Sequence, residues 1–143
     1  MKLLKLLFLF IWQLPQNIIG GLCSIKAERY HPYYMKDGNL VTVYFKKWFR
    51  SGVSLGDTII IDSMYCTWTV GEVTPADWAL YKCIYHEYGH QRQSKILGPF
   101  YLILIGIPSL LGNIIFRIFR INPRYYYKLP WEWWADKLGG VER

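Results

Sequence analysis

Two runs without a single formal charge, Leu6 to Ile25 and Ile96 to Phe116, constrain this 143-residue chain more than any other feature. Apolar surface left in water costs about 25 cal/mol per Å², so each run must enter a core or lipid. The first is 20 residues long, just enough to cross the hydrocarbon of a bilayer as a helix. It follows Lys2 and Lys5 as a signal sequence would, yet no small-x-small cleavage site follows it. Gln13, Gln16 and Asn17 stand near its centre, where they should face protein or water rather than lipid. Residues 1–25 therefore read as an N-terminal hydrophobic membrane anchor, spanning or lying in the interface, with an ordinary apolar helix packed on the domain as the alternative. Residues 26–143 form one domain, a size that needs no disulfides to bury a core.

Net charge enters at this point. The chain carries 17 Lys and Arg against 10 Asp and Glu, a net +7. Such a balance suits nucleic acid, but no nucleic-acid motif is visible. The basic residues instead flank the apolar runs: Lys2, Lys5, Lys26, Arg29, Arg92, Lys95, Arg117, Arg120 and Arg124. Beside anionic headgroups each contributes about 1 kcal/mol. The expected partner is membrane lipid, and nucleic acid is not expected. Cys23, Cys66 and Cys83 are odd in number and share no CxxC spacing, which disfavours a disulfide framework or a thiolate metal site. The heavier basic load after the first run leads one to expect the globular part on the cytoplasmic face of the membrane, while Lys2 and Lys5 argue the other way. Nothing in the sequence fixes an oligomeric state.

Local signals outline an α+β domain. Lys36-Asp37-Gly38-Asn39 is a turn, and the β-branched and aromatic Leu40 to Phe45 after it reads as a strand. Gly56-Asp57 precedes a second strand, Thr58 to Ile61. Two strands at this spacing are expected to form a small antiparallel sheet. A long helix starts with Thr74 as cap, Pro75 at the first helical position and Asp77 in the first turn. It runs to about Lys95 and stops at Gly98-Pro99. A short capped helix closes the chain between Pro130 and Gly139.

Inside the long helix stands His86-Glu87-Tyr88-Gly89-His90, the H-E-x-x-H pattern. Positions i and i+4 share a helix face, so both imidazoles can point at one cation. Glu87, one residue round, can accept the proton of a water whose pKa the metal lowers toward 7. The plain alternative is two surface histidines on an amphipathic helix. A catalytic zinc site needs a third protein ligand, and Glu132 in Glu132-Trp133-Trp134-Ala135-Asp136 supplies one. Acids among tryptophans are costly unless paired or bound. Asp136, one turn on, can take the second ring N–H of a ligand histidine.

H-E-x-x-H followed by E-x-x-A-D resembles the gluzincin metallopeptidases, and most closely their membrane-embedded HtpX and CAAX-prenyl-protease branch. The resemblance covers residues 56–140. It implies a minimal gluzincin-like fold, a Zn2+ cofactor, a polypeptide substrate, His86, His90 and Glu132 as ligands, Glu87 as base and Asp136 behind a ligand histidine. It also implies an edge strand that pairs with extended substrate, a place Thr58, Ile59, Ile60 and Ile61 would fill. The chain is shorter than those enzymes and has one apolar run between its motifs where they have two spans. The transition-state stabiliser is open among His31, Arg124, Tyr125, Tyr126 and Tyr127, the tyrosines reading equally as an interfacial belt. Two rival readings stand beside the peptidase: a non-catalytic zinc-binding membrane protein acting as partner or regulator, and a membrane-active basic protein with a coincidental motif.

Ligation also limits topology. His90 precedes the second apolar run and Glu132 follows it, and both must lie within about 2.1 Å of one ion. One complete crossing of a layer about 30 Å thick would part them. Residues 96–121 are therefore expected to form a shallow apolar hairpin, turning back at Gly106-Ile107-Pro108 with Gln13, Gln16 and Asn17 covering the break.

Overall fold

Alternating burial along Leu40–Lys46 turns Val41, Val43 and Phe45 to one side, as a strand with one covered face requires. The structure, a computed structural model, describes residues 2–47, 51–63 and 75–143. Its strands are β1 (Arg29–Tyr34), β2 (Leu40–Lys46), β3 (Gly52–Leu55) and β4 (Thr58–Asp62), ordered β1-β2-β4-β3 in one sheet. The turn at Lys36–Gly38 joins β1 to β2, with the Asn39 amide donating to Asp37 Oδ1 at 3.2 Å. Against one sheet face lies α3 (Pro75–Leu97), whose Ile84, Tyr85 and Tyr88 close a core with Met35, Val41, Val43, Phe45, Ile59 and Ile61. Thr74, the expected cap, lies outside the described residues, as does Cys66.

The sheet is mixed rather than antiparallel. β4 pairs parallel with β2, Val43 opposite Ile59, and antiparallel with β3, Ser54 opposite Ile59. Thr58, Ile59, Ile60 and Ile61 thus stand on an inner strand and offer no free edge; the edge next to α3 is β3. A hydrophobic run of consecutive isoleucines is what a strand covered on both faces carries, and that signal told against an edge position.

The N-terminal run divides at Gln13 into α1 (Lys2–Trp12) and α2 (Leu14–Ser24), bent by 81°. Gln13 and Gln16 are fully buried: Ser94 Oγ donates to Gln13 Oε1 at 2.8 Å, and Gln16 Nε2 donates to the Gly98 carbonyl. Asn17 Oδ1 accepts from the Asp57 amide at 3.0 Å. The amides do face protein, but they grip the end of α3 and the β3–β4 turn.

No reversal occurs at Gly106-Ile107-Pro108. Proline lacks the N–H that the Leu104 carbonyl would otherwise receive. The chain meets this by widening into a π turn, Leu102–Gly106, in which the Ile107 N–H reaches the Leu102 carbonyl, and it continues as α4 (Ile107–Ile118). The turn back comes later, where Arg120 adopts φ 51° and the Ile121 N–H bonds the Phe116 carbonyl. A short α5 (Pro123–Tyr126) and α6 (Pro130–Gly139) complete the fold. Among the described residues no single helix is long and apolar enough to cross a membrane; the bent pair α1–α2 passes by length and composition only.

Candidate metal centre

Two glycines let α6 lie directly on α3. A Cβ on Gly89 would run into the Ala135 carbonyl, and one on Gly139 into the Tyr85 carbonyl. Backbones in such contact leave room for side chains only beside the crossing, and there the His86 and His90 pair meets Glu132 and Asp136. The terminal helix is held in place by Pro130 near its start and by Gly140, whose φ of 74° ends it with the Val141 N–H on the Asp136 carbonyl.

Both imidazoles turn Nε2 toward the same carboxylate oxygen. Glu132 Oε2 is 3.0 Å from His86 Nε2 and 3.2 Å from His90 Nε2, and all three residues are buried. The far nitrogens are engaged too: His86 Nδ1 is 2.7 Å from Asp136 Oδ1, and His90 Nδ1 is 2.7 Å from Gln93 Oε1. Both partners are acceptors, so each Nδ1 carries a proton and Nε2 is the ring nitrogen that faces Glu132. Without an Nε2 proton, two such rings and the carboxylate would present three lone pairs to one point. This arrangement fits a cation: His86, His90 and Glu132, whose donor atoms lie within 4.8 Å of one another, could hold a metal ion.

Outer partners extend the cluster. Gln93 Nε2 donates to the Trp131 carbonyl at 2.8 Å, fixing the amide that holds His90. Arg143 Nε donates to Asp136 Oδ2 at 2.6 Å, and its guanidinium lies 3.4 Å from the Tyr127 ring centre. Tyr127 meets His86 edge-on at 5.3 Å. Tyr126 O–H donates to Glu132 Oε1 at 2.7 Å.

Electrostatics follow from these contacts. Burial by itself would depress the His86 imidazole, but the hydrogen bonds to Asp136 and Glu132 outweigh it and raise it to about 9. Burial would raise Glu132 and Asp136, yet bonds to the histidines and, for Asp136, to Arg143 hold both below the usual carboxylate range. Glu87 goes the other way: burial lifts it, against the lowering pull of His86 and His90. A carboxylate raised toward neutrality is suited to taking and returning a proton. Burial likewise pushes Tyr127 up to about 12, with Arg143 opposing.

The structure thus brings together His86, His90, Glu132 and Asp136 with Glu87 beside them, and of the stabiliser candidates only Tyr126 and Tyr127. Tyr125 and Arg124 are exposed, and His31 lies on β1 at the opposite sheet edge, so these three are not at the site. Tyr126 gives its only proton to Glu132, which removes it as an oxyanion donor. Sequence reasoning missed Gln93 and Arg143. Gln93 stands three residues past His90 on the same helix face, a readable signal; Arg143 had none, because its contact depends on the chain curling back beyond Gly140. In comparison with known proteins, no family model matches the sequence, and neither a curated protein nor a solved structure does.

Proposed function

We propose that the chain is a zinc-dependent metallopeptidase working at a membrane surface. The observation that carries this reading is the convergence of two inward-facing imidazoles and a carboxylate, each ring fixed from behind, with the buried carboxyl of Glu87 adjoining. Two nitrogens and one oxygen suit zinc. Bound there, zinc would polarise the scissile carbonyl and lower the pKa of water. Glu87 takes the proton from the attacking water and returns it to the leaving amine. β3, the outer strand among the described residues, runs alongside: a Cβ on Gly52 would stand 2.6 Å from Glu87 Oε1. An extended polypeptide added to that edge would pass within reach of Glu87.

The membrane part of the reading rests on exposed apolar surface. Along α4, Leu110, Leu111, Ile114, Ile115 and Ile118 point away from the protein, as do Leu3, Leu4, Leu7 and Phe8 of α1. A surface helix in water carries polar residues there.

Glu87→Gln separates chemistry from binding. The purified variant is expected to keep about one zinc per chain and to lose cleavage of unstructured polypeptide by at least about 10²-fold; undiminished cleavage would refute the mechanism. The burial of His86, His90, Glu87 and Glu132 alike favours a second reading, a non-catalytic metal site in a membrane protein acting as partner or regulator. That reading predicts bound zinc but no chelator-sensitive cleavage by the wild type.

A further inference from the structure

We infer that Tyr126 is a positioning residue that keeps Glu132 attached to the metal through one oxygen and so preserves an open coordination position. The inference rests on the metal-site reading above. Both imidazoles measure to Oε2 alone, 3.0 and 3.2 Å away, so a cation seated by the rings meets that oxygen first. The other oxygen, Oε1, is 2.7 Å from the Tyr126 hydroxyl. That hydroxyl has one proton and three acceptors in reach: Oε1, the Ser109 carbonyl at 3.1 Å and Ser109 Oγ at 2.9 Å. The ionised carboxylate is the nearest and the only charged one, so it takes the proton. Ser109 Oγ then donates its own proton to the phenol oxygen, and the chain of bonds runs from Ser109 through Tyr126 to Glu132.

This chain has a direction and a consequence. A zinc carboxylate ligand with both oxygens free can turn and bind through both, filling a site meant for water or substrate. Here Oε1 cannot turn inward without breaking a charge-assisted bond in a buried place. The ring is fixed as well, packed edge-on against Phe116 and Tyr127 at 5.7 and 5.3 Å. Ser109 belongs to α4, so the apolar helix sets the orientation of a phenol that sets the orientation of a metal ligand. α4 is thereby part of the metal centre although it supplies no ligand.

Tyr126→Phe removes the proton and keeps the ring. In the full chain loaded with cobalt(II), the wild type is expected to show the intense visible absorption of four-coordinate cobalt. The variant should show a weaker band as Glu132 closes on the metal with both oxygens. Its zinc dissociation constant should rise about 10- to 100-fold, as for other groups that orient ligands. A role in folding alone would lower the melting temperature of the metal-free protein and leave the cobalt spectrum as it was. An unchanged spectrum with zinc affinity within about twofold of wild type would overturn the inference. If the wild type binds no metal, the metal reading itself fails, which is a different result from a metal-loaded variant indistinguishable from wild type. Should Tyr126→Phe not fold, Ser109→Ala is read instead: a smaller change in the same direction supports the inference, and an unchanged spectrum and affinity defeat it.

Discussion

His86 carries an unequal pair of partners, and the inequality has a measurable outcome. Its Nδ1 faces the carboxylate of Asp136, whereas the Nδ1 of His90 faces the neutral amide of Gln93. With a second carboxylate, Glu132, on its other side, the metal-free His86 ring is raised to about 9, the two bonds outweighing the depressing effect of burial. At pH 7 that ring therefore holds a proton in the metal-free protein. A metal ligand must be the neutral ring, so zinc bound there as proposed would expel that proton. Calorimetry in buffers of different ionisation enthalpy should record about one proton released per zinc at pH 7 and progressively less as the pH passes 9. Apparent affinity should climb with pH over the same interval by up to about tenfold per unit. A release near zero at pH 7 would mean that His86 is already neutral there. The His86–His90 pair and the Glu132–Asp136 pair were each legible because each depends on spacing along one helix. Arg143 was not, because it reaches Asp136 through a tail whose path depends on the glycine end of α6.

Between elements, the decisive contact is the crossing of α3 and α6. Read along the sequence, Gly89 is a weak point in a helix, costing about 1 kcal/mol relative to alanine. In the fold it is the residue that allows the Ala135 backbone to touch α3. Gly89→Ala raises intrinsic helix propensity and still should destabilise, because the new methyl group meets a backbone carbonyl rather than a flexible side chain. Overpacking of this kind costs about 1–3 kcal/mol. Thermal unfolding of the metal-free variant should show that loss, and zinc affinity should fall with it as α6 carries Glu132 outward. A stabilised Gly89→Ala would show that the helices do not cross there. The same level explains which elements were readable. α3, α6, β2, β4 and the Lys36–Asn39 turn announce themselves through caps, glycines and β-branched runs. β1 hides because Pro32 sits inside it, which an edge strand tolerates. β3 hides because Gly52–Leu55 is four residues long. The parallel pairing of β2 with β4 follows from β3 taking the edge, a choice made by tertiary packing and not by any local pattern.

At the scale of the whole molecule, the proposed metal site and the apolar helices would restrict each other. The π turn and α4 together run from Leu102 to Ile118, about 25 Å at 1.5 Å per residue, against a hydrocarbon layer about 30 Å thick. The chain enters this helix beyond His90 and returns to Glu132, so a shared ion would put both ends on the same side of any bilayer the protein touches. The exposed faces of α4 and α1 are apolar, and Arg117, Arg120, Arg124 and Lys128 follow in sequence at the returning end of α4, where the headgroups of the proposed membrane would meet them. If the chain works at a membrane as proposed, a shallow, one-sided seat would satisfy both demands and a crossing neither. With the native cysteines replaced, single cysteines at the exposed positions Lys82 and Lys128 should both react with an impermeant thiol reagent from one side of sealed vesicles and from neither on the other. Leu110→Asp with Ile114→Asp, on the outward face, should release the protein from vesicles while leaving zinc affinity within about twofold, since each side chain withdrawn from lipid gives up about 1.5–3 kcal/mol of transfer energy. Labelling of the two cysteines from opposite sides would be incompatible with His90 and Glu132 sharing an ion, because a single bilayer would then stand between them.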